Sequence, residues 1–197
     1  MPEKNDTNEK DKRPDISATS LYNAAVELTL DQDLAQRKIS QNTKGIAFIP
    51  ELAFVYEYEK KLNQIVAKLG VSRFSSFREA STSYTGQIDL VGFLQDRQIL
   101  FEFKMEKGIS HVAGDAIKLM PDVKSGDQAY LINIKAENTN DLENVTKRRT
   151  SMLNNQIQER GVTDISAVEV VDYFEFLSTP ASDGKLASVI CMWKIAF

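Results

Sequence analysis

The sequence contains a single cysteine, a single histidine and no long apolar segment, and each of these absences excludes a class of protein. One cysteine, Cys191, cannot form a disulfide within the chain, and its apolar surroundings predict a buried, unreactive thiol. One histidine, His111, is too few for zinc sites built from several histidines and cysteines. A Ser-His-Asp triad would have to use His111, and the sequence contains no nucleophile-elbow motif.

Membrane-spanning and strongly basic proteins are excluded in the same way. No apolar run approaches the roughly 18 residues that a spanning helix needs. Residues 1–16 are polar and charged, lack a signal-peptide pattern and are predicted to form a disordered tail. We therefore expect a cytoplasmic protein without membrane contacts. The net charge of −4 argues against coating nucleic acid by charge alone, although a local basic groove is compatible with it.

The rest of the chain, residues 17–197, is long enough for a single domain with a sizeable core. Its clearest helix is predicted from Pro50 to Gly70, with apolar residues recurring every three or four positions. The remaining predicted elements, in chain order, are a helix capped by Ser20, a strand at Val71–Phe77, two central strands, a helix at Ile109–Met120, a strand at Gln128–Ile134, a helix opened by a capping box at Asn140 and Glu143 and ended by Gly161, and strands at Ala167–Leu177 and Ala187–Phe197.

The two central strands carry charges that need an explanation. Asp89 lies inside the apolar run 87–93, and Glu102 and Lys104 alternate with apolar residues in the run 98–104. A period of two is typical of strands buried on at least one face. The connector between the runs is short and polar, so we expect an antiparallel hairpin that brings Asp89 near Glu102.

Two carboxylates and a lysine on one sheet face suit a hard divalent cation. Mg²⁺ prefers oxygen ligands, and the predicted ligands are Asp89, Glu102 and the backbone carbonyl of Phe103. Lys104 would orient the attacking water, ease its deprotonation and stabilise charge on a pentavalent phosphate. Glu51, at the start of the helix's buried stripe, could complete the shell or hold a second ion, or could simply favour the helix dipole. The implied reaction is phosphodiester hydrolysis.

The acid-x-lysine tripeptide alone is uninformative, because it recurs at three other places in the chain. Only at Glu102 does it lie in an apolar strand that follows another strand with an embedded aspartate. Burying unpaired charges is costly, so these charges need a compensating partner such as a metal. The alternative explanation is a buried ion pair between Lys104 and either Asp89 or Glu102 at a sheet end.

Over Pro50–Ala136 the predicted order is helix, three strands, helix, strand, and the charges lie on the second and third strands. This arrangement resembles the PD-(D/E)XK nuclease superfamily. The resemblance implies a restriction-endonuclease-like α/β core, with a central mixed sheet flanked by helices and the C-terminal helix and two strands as decoration. The family's second-strand aspartate corresponds to Asp89, and its third-strand acid and lysine correspond to Glu102 and Lys104. One departure is Ile88, where the namesake motif has proline.

Further site residues follow from the same resemblance. The family's first helix often supplies a glutamate, which would be Glu51 here, or Glu57 if the helix is phased differently. Gln87 shares a strand face with Asp89 and is a further polar candidate.

The activity implied by the resemblance is that of a Mg²⁺-dependent nuclease, with Mn²⁺ as a substitute. Small members acting on DNA are the commonest case, which favours a DNA endonuclease in restriction or phage defence. Homodimers are common among restriction-type members, so a homodimer is expected by analogy. The basic run Lys147, Arg148 and Arg149 lies on a predicted helix, where it forms either a solvated face or a phosphate contact.

Two other functions compete with the DNA nuclease. One is a non-catalytic nucleic-acid-binding or regulatory protein on the same fold, in which the acids form a structural ion network. The net negative charge favours that reading, and the intact Asp89, Glu102 and Lys104 argue against it. The other is an RNA-cleaving enzyme, which the sequence neither favours nor excludes.

Overall fold

The structure is a computed structural model, and it describes residues 16–40, 46, 49–71, 74–81, 86–94, 97–138, 142, 144–170, 174–176 and 186–197. Residues 1–15 of the predicted tail and the capping box at Asn140 and Glu143 lie outside these ranges. Ile16, the last residue of the predicted tail, has a buried side chain. Ile16 precedes the N-cap Ser17 and takes the position of a hydrophobic staple, in which such a residue packs against the first turn of the helix.

The described residues form four α-helices and seven β-strands. In chain order they are α1 (Ala18–Ile39), α2 (Glu51–Lys68), β1 (Phe74–Ser81), β2 (Gln87–Leu94), β3 (Arg97–Met105), α3 (Ile109–Leu119), β4 (Gln128–Asn138), α4 (Val145–Glu159), β5 (Ser166–Glu169), β6 (Phe174–Phe176) and β7 (Leu186–Ala196). The predicted sequence of elements from α2 to β4 is therefore present.

The strands form one mixed sheet in the order β1-β2-β3-β4-β7-β5, with β6 also paired to β7. Strands β1, β2 and β3 form an antiparallel meander. Strand β4 then pairs with β3 in parallel, which requires the crossover that α3 provides. The other pairs, β4–β7, β5–β7 and β6–β7, are antiparallel. The predicted α/β class with a mixed, helix-flanked sheet is confirmed.

A separate hydrophobic core lies on each face of the sheet. On one face α1 and α2 pack against β2, β3, β4 and β7, with Tyr58 from α2 in edge contact with Phe101 and Phe103 of β3. The Tyr58 hydroxyl donates to the Leu21 carbonyl at 3.0 Å and ties α2 to α1. On the other face α3 and α4 cover β3, β4 and β7, with Trp193 fully buried.

Several predicted boundaries shift for local physical reasons. The strand expected from Val71 begins only at Phe74, because the Val71 N–H is still hydrogen-bonded to the last turn of α2. Gly70 has φ +68°. The Gly70 N–H donates to the Ala67 carbonyl, and the Val71 N–H donates to the Val66 carbonyl. Together these form the Schellman pattern that ends many helices. At the other end of the chain, the single strand predicted over 167–177 is two short strands, β5 and β6.

The N-cap of α1 is Ser17 rather than the predicted Ser20. The Ser17 hydroxyl accepts a hydrogen bond from the Ser20 N–H, so Ser20 already lies in the first turn.

Candidate functional site

Six charged side chains from four elements meet at the carboxyl end of β3. They form what we call the carboxylate–lysine cluster: Glu51 of α2, Asp89 of β2, Glu102 and Lys104 of β3, and Asp115 and Lys118 of α3. Four carboxylates thus face two ammonium groups. The crossover from β3 to β4 places α3 beside Glu102 and Lys104 of β3.

The hairpin brings Asp89 and Glu102 together as expected. The β2–β3 register begins with the pair Leu90 and Phe101, so Asp89 and Glu102 are the next residues beyond that pair, and their charges interact. The Asp89 carboxylate accepts a hydrogen bond from the Phe103 N–H at 2.8 Å. Phe103 therefore contacts Asp89 through its N–H, whereas its carbonyl was the predicted metal ligand.

Glu102 is the most unusual member of the cluster, because its side chain is 0% exposed. Neither carboxylate oxygen has a hydrogen-bond partner among the described residues. Lys118 Nζ lies 2.6 Å from Glu102 Oε1, so the two side chains form an ion pair by distance. Burial, and secondarily the nearby Asp89 charge, raise the pKa of Glu102 to about 9.

Lys104 is held between two carboxylates. Its Nζ lies 3.3 Å from Glu51 Oε1 and 3.4 Å from Asp115 Oδ2. Burial by itself lowers the pKa of Lys104, but the negative charges of Asp115, Glu51, Asp89 and Glu102 outweigh it and the pKa is raised. Lys104 is therefore an ammonium group at neutral pH.

The Lys104 backbone is fixed from behind by β4. The Asn133 side chain donates to the Lys104 carbonyl at 2.8 Å, and the two residues are register partners in the β3–β4 ladder. Asn133 in turn accepts a hydrogen bond from Arg149 of α4.

Glu51 has both carboxylate oxygens engaged. Besides its contact with Lys104, it accepts a hydrogen bond from the Met105 N–H at 3.0 Å, which joins the first turn of α2 to the end of β3. The competing helix acid, Glu57, pairs with Lys60 at 2.8 Å, and its side chain is 36% exposed. Gln87 has an exposed side chain and reaches the cluster only through its carbonyl, which accepts from Lys118 Nζ at 2.5 Å.

Sequence reasoning missed Asp115 and Lys118. Asp115 borders the apolar stripe of α3, and burial raises the pKa of its carboxyl despite the nearby Lys104 and Lys118. Lys118 lies off that stripe, and only its long stem brings the ammonium back to Glu102. The signal was an acid and a lysine three positions apart on the crossover helix, a spacing that places both side chains on neighbouring turns.

The cluster offers the donor type that Mg²⁺ prefers, but it is not a ready metal cage. In the part of the chain that the structure describes, no three His, Cys, Asp or Glu side chains form a group that could hold a metal. Lysines are interleaved with the carboxylates instead. The pair Asp89 and Glu102, with two buried oxygens of Glu102 lacking hydrogen bonds, still fits an ion that usually takes one or two carboxylates and keeps several waters.

The predicted basic run on α4 does not form one solvated face. Lys147 and Arg148 are exposed, but Arg149 is 3% exposed. Its guanidinium bonds Asn133 and lies 3.6 Å from Glu137 Oε1. Lys147 and Arg148 are therefore the two residues of this run that are exposed to a phosphate contact, whereas Arg149 is buried.

The thiol of Cys191 is buried, as predicted, and burial raises its pKa. His111 lies in the first turn of α3, on the exposed surface.

Comparisons with protein-family models, with curated proteins and with solved structures found no match to this chain. None of the helices among the described residues has the length and apolarity needed to cross a membrane.

In the metal-free protein, we expect Glu102 to make stability fall with rising pH. Its pKa rises from 4.5 to about 9 on folding, so between these values the folded chain holds a proton that the unfolded chain releases. The stability that the neutral carboxyl contributes is fully present below pH 4.5, and it is lost as the pH rises towards about 9. Urea unfolding with chelator, at about pH 5 and about pH 9, should show this loss in wild type and a flatter response in Glu102→Gln. Glu57→Gln is the matched control, and equal pH slopes in wild type and Glu102→Gln would contradict the assignment.

Arg149 and Arg148 provide a matched pair of neighbours on α4. Arg149→Met should lower the free energy of unfolding by about 3 kcal/mol, because it leaves the buried Asn133 oxygen and Glu137 without their cation. Arg148→Met should change it little, since that side chain is exposed. Urea denaturation of both variants measures the difference. A similar small change in both would show that Arg149 is not a structural residue.

Proposed function

We propose that this chain is a metal-dependent nuclease with a restriction-endonuclease-like core, and that it hydrolyses phosphodiester bonds in DNA. The observation that carries the proposal is the fully buried Glu102, whose two oxygens have no hydrogen-bond partner among the described residues and whose charge interacts with that of Asp89. A buried carboxylate of this kind is costly unless a cation or a proton compensates it. The order of α2, β1, β2, β3, α3 and β4, with the acids on β2 and β3, also supports the proposal.

Within this proposal, Asp89 and Glu102 hold Mg²⁺, or Mn²⁺ in its place. When bound, the metal supplies a Lewis acid that lowers the pKa of water and neutralises phosphate charge. Lys104, as a permanent ammonium, donates hydrogen bonds and stabilises negative charge on the phosphate rather than removing a proton. Glu51 positions Lys104 from the first turn of α2.

A second candidate function also has a specific observation in its favour. The contacts run from Glu51 through Lys104, Asp115 and Lys118 to Glu102, so acids and lysines alternate and neutralise one another. Such a network could hold α2, β3 and α3 together in a non-catalytic nucleic-acid-binding or regulatory protein. Absence of Mn²⁺ binding at millimolar concentration, together with absence of cleavage, would favour this candidate.

Cleavage assays test the first proposal directly. Purified protein is incubated with supercoiled plasmid, linear duplex, single-stranded DNA and RNA, each with Mg²⁺, with Mn²⁺ and with chelator. We expect metal-dependent cleavage of DNA, lowered about 100-fold or more by Lys104→Met, which removes a group that stabilises transition-state charge. Cleavage of RNA alone would instead favour the RNA-cleaving alternative.

Lys107→Met is the matched control, because Lys107 is an exposed lysine just beyond the same strand. Circular dichroism should show that both variants fold. Equal cleavage by wild type and Lys104→Met, or cleavage that persists in chelator, would contradict the site assignment.

A further inference from the structure

The ammonium of Lys118 occupies the space next to the buried Glu102 carboxylate. Its Nζ lies 2.6 Å from Glu102 Oε1 and 3.7 Å from Asp115 Oδ1, and it donates to the Gln87 carbonyl at 2.5 Å. These three groups are oxygens, the donor type that a hard divalent cation also takes.

Lys118 is also able to leave this position. Its side chain is 21% exposed, and a lysine stem is long and flexible. Glu102, in contrast, is completely buried on the rigid β3 strand. Exchange of one cation for another beside Glu102 therefore requires movement of Lys118.

We propose that Lys118 is an internal counter-cation, which occupies the cation position beside Glu102 in the metal-free protein and moves away when a divalent metal binds. This inference rests on the proposed function, because it assumes that the metal binds at Asp89 and Glu102. It accounts for the interleaving of lysines and carboxylates, since the Lys118 ammonium occupies the position beside Glu102 and Asp115 until the metal replaces it. Metal binding to the wild-type protein is consequently weaker than the carboxylates alone would allow.

Gly86 gives the Lys118 stem the room it needs. A Cβ at position 86 would lie 2.8 Å from Lys118 Cδ and 3.4 Å from Cγ. Gly86→Ala would therefore push the stem aside while keeping the lysine charge in the protein. This provides a second way to disturb the contact between the ammonium and Glu102, independent of deleting the charge.

The test is calorimetric titration of Mn²⁺ into four proteins: wild type, Lys118→Met, Gly86→Ala and Lys124→Met, an exposed lysine beyond α3 as the control. We expect Lys118→Met to bind Mn²⁺ about tenfold more tightly than wild type, because a nearby positive charge no longer opposes the ion. Gly86→Ala should also bind more tightly, and Lys124→Met should match wild type. Adding Asp89→Ala to Lys118→Met should abolish the gain, which places the ion at this site.

The outcomes separate the inference from the proposed function. If wild type binds Mn²⁺ and cleaves nucleic acid, but Lys118→Met and Gly86→Ala bind equally or more weakly, the counter-cation role is overturned and the nuclease proposal stands. If no protein of the set binds Mn²⁺ at millimolar concentration, both are overturned. Should Lys118→Met fail to fold, Gly86→Ala decides the question alone.

Discussion

The burial of one carboxylate, that of Glu102, is the constraint on which the site depends. A charged carboxylate without hydrogen bonds in a protein interior is unfavourable, so it must hold a proton, face a cation or bind a metal. The structure shows the first two responses, a raised pKa and the nearby Lys118. Our proposal adds the third, and it explains why β3 carries Glu102 where an apolar residue would fill the same space at lower cost.

The residues on the two strands could be predicted because their signal is local. A period of two shows on which face Asp89, Glu102 and Lys104 lie, and a short connector predicts the antiparallel hairpin that joins them. Glu51 follows from the helical period of α2. Lys118 could not be predicted in this way, since it lies off the apolar stripe of its helix and reaches Glu102 only after the chain crosses from β3 to β4.

Arg149 shows how a run of like charges misleads. Three consecutive basic residues suggest one solvated face, but consecutive helix positions point in different directions. Arg149 lies three and four residues from the buried Thr146, Val145 and Leu153, so the helical period places it towards the core. The buried guanidinium then supports Asn133, and through it the Lys104 backbone.

The most direct measurement is anomalous diffraction from crystals of the protein soaked in Mn²⁺. We expect a manganese peak within ligand distance of the Asp89 and Glu102 carboxylates, with the Lys118 ammonium displaced from Glu102. A fully occupied Lys118–Glu102 contact, without manganese at these carboxylates under conditions that support cleavage, would contradict it. The cluster would then be a structural ion network, and the chemistry of the protein would lie elsewhere.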